Sequence, residues 1–409
     1  MDIRRCRACD ASLEHTLVDL GLSPLANSYV SKDRAHEGEK FYPLHVFVCG
    51  RCHLVQLEQF ETPENIFSHY AYFSSFSSSW LHHCKTYALE MTRRWSLDGS
   101  KRVVEVASND GYLLQYFADQ GISVLGIEPA ANVARVANEK GIPTEVAFFG
   151  RDTATALRDR GFAADLMAAN NVLAHVPNIR DFIAGFAVLL KPQGIATFEF
   201  PHLLEMVKYN QFDTIYHEHF SYLSVSALLG VLAENGLRVF DIEQLATHGG
   251  SLRVFVCLEN ASHEKSSNVD AVLGNEEIAG LTSFAAFDKF APKTVAMKCD
   301  ALEFLINARR AGKRVIGYGA AAKGNTFLNY CGIGPELIEA VADRSPHKQE
   351  TLLPGSRIAV ISPDELIERR PDYVVILPWN LRTEIVTQLD GIKAWGGRFV
   401  TFIPELQVH

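Results

Sequence analysis

Residues 102–128, RVVEVASNDGYLLQYFADQGISVLGIE, decide the fold. Residues 102–106 form a short β-branched run, Ser108-Asn109-Asp110-Gly111 reads as a turn, and 112–120 carries helical spacing. Val124 opens a second apolar run that ends at Glu128, and residues 131–140 read as the next helix. Strand, turn, helix, strand, helix is the opening of a doubly wound α/β unit, which gathers its ligands at the carboxyl ends of its strands.

The turn after the first strand selects the ligand. Ala107 and Asn109 stand where a dinucleotide fingerprint has glycines. Glu105, at the head of the turn, repels a diphosphate and suits the ammonium of an amino-acid moiety. Glu128, about twenty residues beyond the turn, is placed to accept hydrogen bonds from both ribose hydroxyls. A nucleoside carrying an amino acid, S-adenosylmethionine, satisfies both carboxylates where NAD does not. The candidate cofactor residues are therefore Glu105, Ser108, Asn109, Asp110, Glu128 and Pro129, with Asn170 and Asn171 after the strand predicted over 166–169.

The unit continues through a helix at 179–190 and a strand at 194–200 that Pro201 closes. Two β-rich runs, 239–243 and 251–258, meet at His248-Gly249-Gly250 and are expected to pair as an antiparallel hairpin at the sheet edge. Before them, in the position of an active-site loop, lies QFDTIYHEHFSYLS, residues 211–224, followed by a helix at 224–235. In an extended chain Tyr216 and Glu218 share one face and His217 and His219 the other, whereas a turn gathers Tyr216, Glu218 and His219. A tunable base, a carboxylate to orient it and a phenol to donate a hydrogen bond are equipment for removing a proton. A metal centre here ranks lower, because no second acidic or histidine cluster beside it has ligand-like spacing.

Cys6/Cys9 and Cys49/Cys52 form two C-x-x-C pairs that together supply four thiolates for one closed, structural zinc. Arg4, Arg5, Arg7 and Arg51 beside them favour the thiolate form. Cys84, Cys257, Cys299 and Cys331 are scattered and read as small core residues. The aromatic and serine-rich stretch 64–80 joins this module to the next, and Tyr70 or Tyr72 reads as a side chain that a lid carries into the site. A polar linker is expected over 261–275 and a helical stretch over 276–311, interrupted at Pro292. A second α/β unit then opens with a strand at 314–318 and the turn GYGAAAKGN. Gly317, Gly319 and Ala322 match the looser G-x-G-x-x-G/A pattern, with Asp343 about twenty residues on, so this is the alternative nucleotide site. The plain explanation of that pattern is close packing of helix on sheet. Lys323, at a helix start, supplies local positive charge for a pyrophosphate.

A chain of 409 residues holds two or three domains, and its formal charge of −9 argues against nucleic acid and anionic membrane as partners. No apolar run approaches the roughly 20 residues needed to cross a bilayer. The first residues lack the apolar core of a signal peptide. A cytoplasmic protein with reduced cysteines is expected, with the monomer as the favoured state.

Taken in order, the two C-x-x-C pairs, EVASNDGYLL, NNVLAHVPN, FDTIYHEHFSYLS, GGSLRVFV and GYGAAAKGN resemble the sugar C-methyltransferases that act on nucleotide-linked 4-keto-deoxyhexoses. The similarity covers nearly the whole chain. It implies an α/β protein with a small N-terminal zinc-binding module (1–64), a central Rossmann-like S-adenosylmethionine domain (65–260) and a C-terminal Rossmann-like sugar-nucleotide domain (261–409), the sugar nucleotide lying between the last two. S-adenosylmethionine and zinc are the implied cofactors. The implied reaction transfers a methyl to C3 of a nucleotide-linked 4-keto-deoxysugar, carried on dTDP, through an enolate. The resemblance assigns His219 as the base, with Tyr70, His175, Tyr216 and Glu218 lining the site; His175 is the rival base. Tyr72, Phe73, Tyr222, Gly319, Lys323 and Asn325 are the expected substrate contacts. Two other readings stand beside it: an NAD-dependent sugar-nucleotide oxidoreductase working at the GYGAAA turn, and a zinc-bearing binding protein without catalysis.

Overall fold

Arg102–Val106 is an inner strand of a seven-stranded sheet ordered Leu237–Leu245, Ser251–Leu258, Leu190–Pro201, Ala164–Asn170, Arg102–Val106, Ser123–Ile127 and Thr144–Glu145. The computed structural model describes residues 4–67, 74–76 and 78–409. The last five strands of that order are parallel, and Ser251–Leu258 and Leu237–Leu245 close the edge as the expected antiparallel hairpin, with Ser251 opposite Pro201. Val103, Val104 and Val106 are buried, as an inner parallel strand covered by helices on both faces requires. Strand order reverses between Arg102–Val106 and Ala164–Asn170, so the loops leaving these two strands border one crevice.

The second α/β unit is a six-stranded sheet ordered Val360–Ile361, Val341–Ala342, Val315–Tyr318, Tyr373–Ile376, Arg398–Thr401 and Gln407–Val408, the last strand antiparallel. The N-terminal module contributes His15–Ser23, Tyr42–Val48 and Val55–Leu57 to a third sheet. Its fourth strand is Ser221–Tyr222, from the loop of the central domain that holds the histidines. Val30–Ser31 pairs in turn with Thr351–Leu352 of the C-terminal domain. The cores merge as well. Leu44 and Val46, Phe212 and Ile215, and Phe327 and Phe402 belong to one buried cluster that crosses all three parts.

Three expectations are corrected. The segment read as a polar linker, 261–275, supplies most of the helix Ser267–Ile278, whose Val269 and Val272 pack into the core of the central domain. Its buried Glu276 accepts the N–H groups of Val225 and Ser226, each at 2.8 Å, and pairs with His202. Polar composition concealed a helix whose carboxylate caps another helix. Pro292 interrupts nothing, because it lies in the first turn of Phe290–Arg310, where a missing N–H costs no helical bond; the helical stretch expected over 276–311 breaks earlier, over 279–289, where the chain turns between Ser267–Ile278 and Phe290–Arg310. Cys299 is exposed rather than part of the core, unlike Cys84, Cys257 and Cys331. Among the described residues no helix is long and apolar enough to cross a membrane.

Candidate active site

The histidine loop is a turn, not an extended strand. The His219 N–H donates to the Tyr216 carbonyl at 2.9 Å and folds the His219 ring over that of Tyr216, with centroids 3.9 Å apart. Glu218 is carried away from this pair, and its Oε1 accepts from Asn27 Nδ2 at 2.7 Å. Hydrogen bonds to backbone groups, from all three parts of the chain, fix the loop. The Phe220 N–H donates to Ala174 O at 2.7 Å, the Leu57 N–H to Phe220 O at 3.0 Å, and Thr326 Oγ1 to Ile215 O at 2.8 Å. The first of these bonds sets His175 edge-on to His219, with ring centroids 4.7 Å apart. Tyr222 completes the group, its ring 6.3 Å from that of His219.

One contact decides which nitrogen of His219 is basic. Nδ1 lies 2.8 Å from the Thr214 carbonyl, which can only accept. The proton therefore sits on Nδ1, and Nε2 carries the lone pair. Burial, with the His175 ring beside it, holds His219 well below the ordinary imidazole range, so it is neutral at neutral pH. Burial likewise depresses His175, to about 4. Glu218 moves the other way: burial raises it to about 7 against the pull of Asn27 and Lys348. The orienting partner expected in Glu218 is thus the Thr214 carbonyl, a backbone group with no side-chain signature.

Lys323 lies close enough for its charge to act on His219. Its Nζ lies 4.8 Å over the Trp379 ring and makes long contacts, 3.5 Å to His248 O and 3.4 Å to Asn380 Oδ1. Trp379 Nε1 donates at 2.8 Å to Asp213, a carboxyl that burial lifts to about 6. The Lys323 charge adds to the depression of both His219 and His248. His248 is held at a left-handed φ of 55° beside Trp80, with ring centroids 5.6 Å apart. Sequence reasoning passed over Thr214, Asp213, His248 and Trp379. The first two lay inside the stretch it singled out, and His248 opens the Gly-Gly turn; Trp379 carries no local signal.

The crevice beside the central sheet has the form of a cofactor cradle. Ala107 and Asn109 adopt φ of 59° and 48°, so the backbone takes the left-handed turns of a glycine loop although neither residue is glycine. Gly126 makes room for this turn, since a Cβ there would stand 2.3 Å from Ser108 Oγ. The Glu128 carboxylate accepts the N–H groups of Asn109 at 3.0 Å and Ala130 at 2.8 Å. Glu105 is fully buried beside the Tyr112 hydroxyl, and burial raises its carboxyl well above the usual range. Ser108 Oγ, Asp110 Oδ1, Asn170 Oδ1 and Asn171 Oδ1 are buried without a hydrogen-bond partner among the described residues. Unspent polar atoms gathered at the carboxyl ends of two strands mark a ligand site, and they fit the amino-acid and nucleoside parts of S-adenosylmethionine. Pro129 follows Glu128 at the entry to the helix Ala131–Glu139.

The four sulfurs of Cys6, Cys9, Cys49 and Cys52 lie within 4.8 Å of one another. Cys49 Sγ accepts the N–H groups of Arg51 and Cys52 at 3.4 and 3.5 Å, and Cys6 Sγ accepts Gln56 Nε2 at 3.2 Å. This donor set fits a closed tetrathiolate zinc. Arg4 pairs with Glu58 and Arg5 with Asp10, while Arg7 turns inward to backbone carbonyls.

Tyr70, Tyr72 and Phe73 lie outside the described residues. Gly319 and Asn325 are engaged in packing: a Cβ on Gly319 would stand 2.4 Å from Pro378 Cδ, and Asn325 Nδ2 donates to Ala26 O at 2.6 Å. Asp343 accepts the N–H groups of Ala320, in the glycine turn, and of Ser345, at 2.8 Å each.

Comparison with known proteins bears on this geometry. Residues 246–404 match the family model "C-methyltransferase C-terminal domain", 80–242 match "Methyltransferase domain", and 6–67 match "Putative zinc binding domain". The C-methyltransferase NovU of Streptomyces niveus is 36% identical over 406 residues, 99% of this chain and 97% of that protein. A ubiquinone biosynthesis O-methyltransferase of Burkholderia pseudomallei is 27% identical over 162 residues, 36% of this chain and 69% of its own. A magnesium protoporphyrin IX methyltransferase from Synechocystis PCC 6803, solved with bound S-adenosylmethionine, aligns with 43% of this chain and 78% of its own at 15% identity and a TM-score of 0.33.

Proposed function

Given that this chain belongs to the C-methyltransferase family and uses S-adenosylmethionine and zinc, we propose that it methylates C3 of a nucleotide-linked 4-keto-deoxysugar, carried on dTDP, with His219 as the base. The observation that supports this reading is the Thr214 contact, which commits Nδ1 of a neutral imidazole as a donor and leaves the lone pair on Nε2.

A C–H bond is a poor nucleophile, but next to a ketone its proton can be removed. His219 Nε2 takes the C3 proton, and the electron pair of that bond moves into the enolate. S-adenosylmethionine supplies the electrophilic methyl, so C3 gains a C–C bond as the sulfonium–methyl bond breaks. The enolate oxygen needs a donor while its charge develops, a role for Tyr216, His175 or Tyr70. Glu218, raised to about 7, lines the site from the side of Asn27. Lys323 offers a charge with donors to spare to the diphosphate. Tyr222, Tyr72 and Phe73 border the sugar in this reading, while Gly319 and Asn325 shape the wall behind Lys323. The NAD reading finds less support, since Pro378 covers the Gly319 position.

The test is a screen of 4-keto-deoxysugar nucleotides with labelled S-adenosylmethionine, with the new methyl located by NMR. A methyl on oxygen, or at a carbon other than C3, overturns the assignment.

A further inference from the structure

The N-terminal sulfur cluster is wired to the catalytic pair. Gln56 donates through Nε2 to Cys6 Sγ at 3.2 Å and accepts the Arg7 N–H through Oε1 at 3.0 Å. Gln56 is also the residue opposite Ser221 in the strand pairing, two residues past His219, and it is 1% exposed. Arg7, next to ligand Cys6, sends its guanidinium to Pro177 O at 2.8 Å and to Leu57 O, and its charged carbon lies 5.4 Å from the centre of the Phe220 ring. Pro177 stands two residues after His175. Leu57 donates to Phe220 O, the residue after His219. One side chain thus clamps both segments whose histidines meet edge to face.

We infer that Arg7 and Gln56 are positioning residues through which the zinc centre sets the geometry of His175 and His219, so that the metal orders the site as well as the module. A closed tetrathiolate takes no part in proton transfer. It fixes Cys6, and with it the backbone from which Arg7 extends. The Arg7 fork is matched to two carbonyls at once, which the single ammonium of a lysine is not. The inference rests on the reading of His219 as base, but its first test does not use activity.

The experiment compares the zinc-loaded full chain with Arg7→Lys and Gln56→Leu, and the unmodified chain before and after zinc removal by a chelator. Zinc content and S-adenosylmethionine affinity should stay at the unmodified values in both variants. Amide hydrogen exchange in peptides covering 172–178 and 214–222 should speed up by about tenfold, while the central-sheet segment 123–139 keeps its protection. Zinc removal should loosen the same two segments. By 15N NMR, His219 should lose its single Nδ1–H tautomer in Arg7→Lys. Unchanged protection of both segments, in the variants or after zinc removal, overturns the coupling. So does loss of protection spread evenly over the central sheet, which would make the role one of general folding. If His219 proves not to be the base while this exchange pattern appears, the coupling stands and only the proposed mechanism falls.

Discussion

Replacing His219 by asparagine separates the base from the scaffold that holds it. The asparagine amide places an N–H close to the position of imidazole Nδ1, so the donor to the Thr214 carbonyl, 2.8 Å away in the native site, is retained. The atom deleted is Nε2, the one with the lone pair. Loss of the ring also removes its packing on Tyr216 at 3.9 Å, worth about 0.5–1.5 kcal/mol, so the variant should fold with slightly lower stability. Loss of a general base costs roughly 100- to 10,000-fold in rate, about 2.7–5.4 kcal/mol of barrier. The assay is single-turnover methyl transfer from labelled S-adenosylmethionine to a 4-keto-deoxysugar nucleotide, with both affinities measured by calorimetry. Affinities should hold while the rate collapses. Exchange of the substrate C3 hydrogen with deuterated solvent should fall in parallel. The pH profile of the base follows with a definite sign: His219 works unprotonated and lies well below 6.5, so in Glu218→Gln, which removes the carboxyl that titrates at about 7, the rate should stay level from pH 8 through 6.5 and decline only at lower pH as the ring takes up its proton. Wild-type methylation by His219→Asn, together with an inactive His175→Asn, transfers the base to His175 and refutes the reasoning.

Metal analysis should find about one zinc per chain, and replacement of Cys6, Cys9, Cys49 and Cys52 by serine should abolish it; zinc that persists defeats the site. Glu128→Ala should weaken S-adenosylmethionine while leaving sugar-nucleotide affinity intact in calorimetry. It should also lower the melting temperature, because the N–H groups of Asn109 and Ala130 lose their acceptor, at about 1–3 kcal/mol for each group left unpaired. Lys323→Ala should weaken the sugar nucleotide by roughly 1.5–3 kcal/mol without touching the methyl donor, and a loss of NAD affinity in its place would revive the oxidoreductase reading. Because burial holds His175 at about 4, the unfolded chain takes up this proton first as pH drops below 6.5. The stability that the neutral ring contributes is therefore present above 6.5 and lost between 6.5 and about 4, and His175→Asn should flatten that part of the urea-denaturation curve relative to the native chain.

Local order was legible without the structure wherever one short stretch carries the whole cause. Alternation of apolar runs and turns marked the central unit, the edge hairpin and the second α/β unit, and paired C-x-x-C spacing marked the four sulfurs that converge. Even the glycine-loop conformation at Ala107 and Asn109 was visible as a position, though not as a geometry. What escaped was whatever long-range backbone contacts decide. A polar segment, 261–275, hid a helix because its stabilising partners, the amides of Val225 and Ser226, lie about fifty residues earlier in the chain. Alternation along 216–219 suggested two faces, but a single bond from His219 N–H to Tyr216 O folds the loop and sends Glu218 toward Asn27. The group that fixes the basic nitrogen is the carbonyl of Thr214, and every residue has a carbonyl, so no residue type announces it. Composition and spacing named the chemical groups. Only the tertiary structure, by joining Arg7, Leu57, Ala174, Ile215 and Thr326 around one turn, decided which histidine nitrogen keeps the lone pair, because hydrogen bonds between segments distant in the chain leave no trace in local pattern.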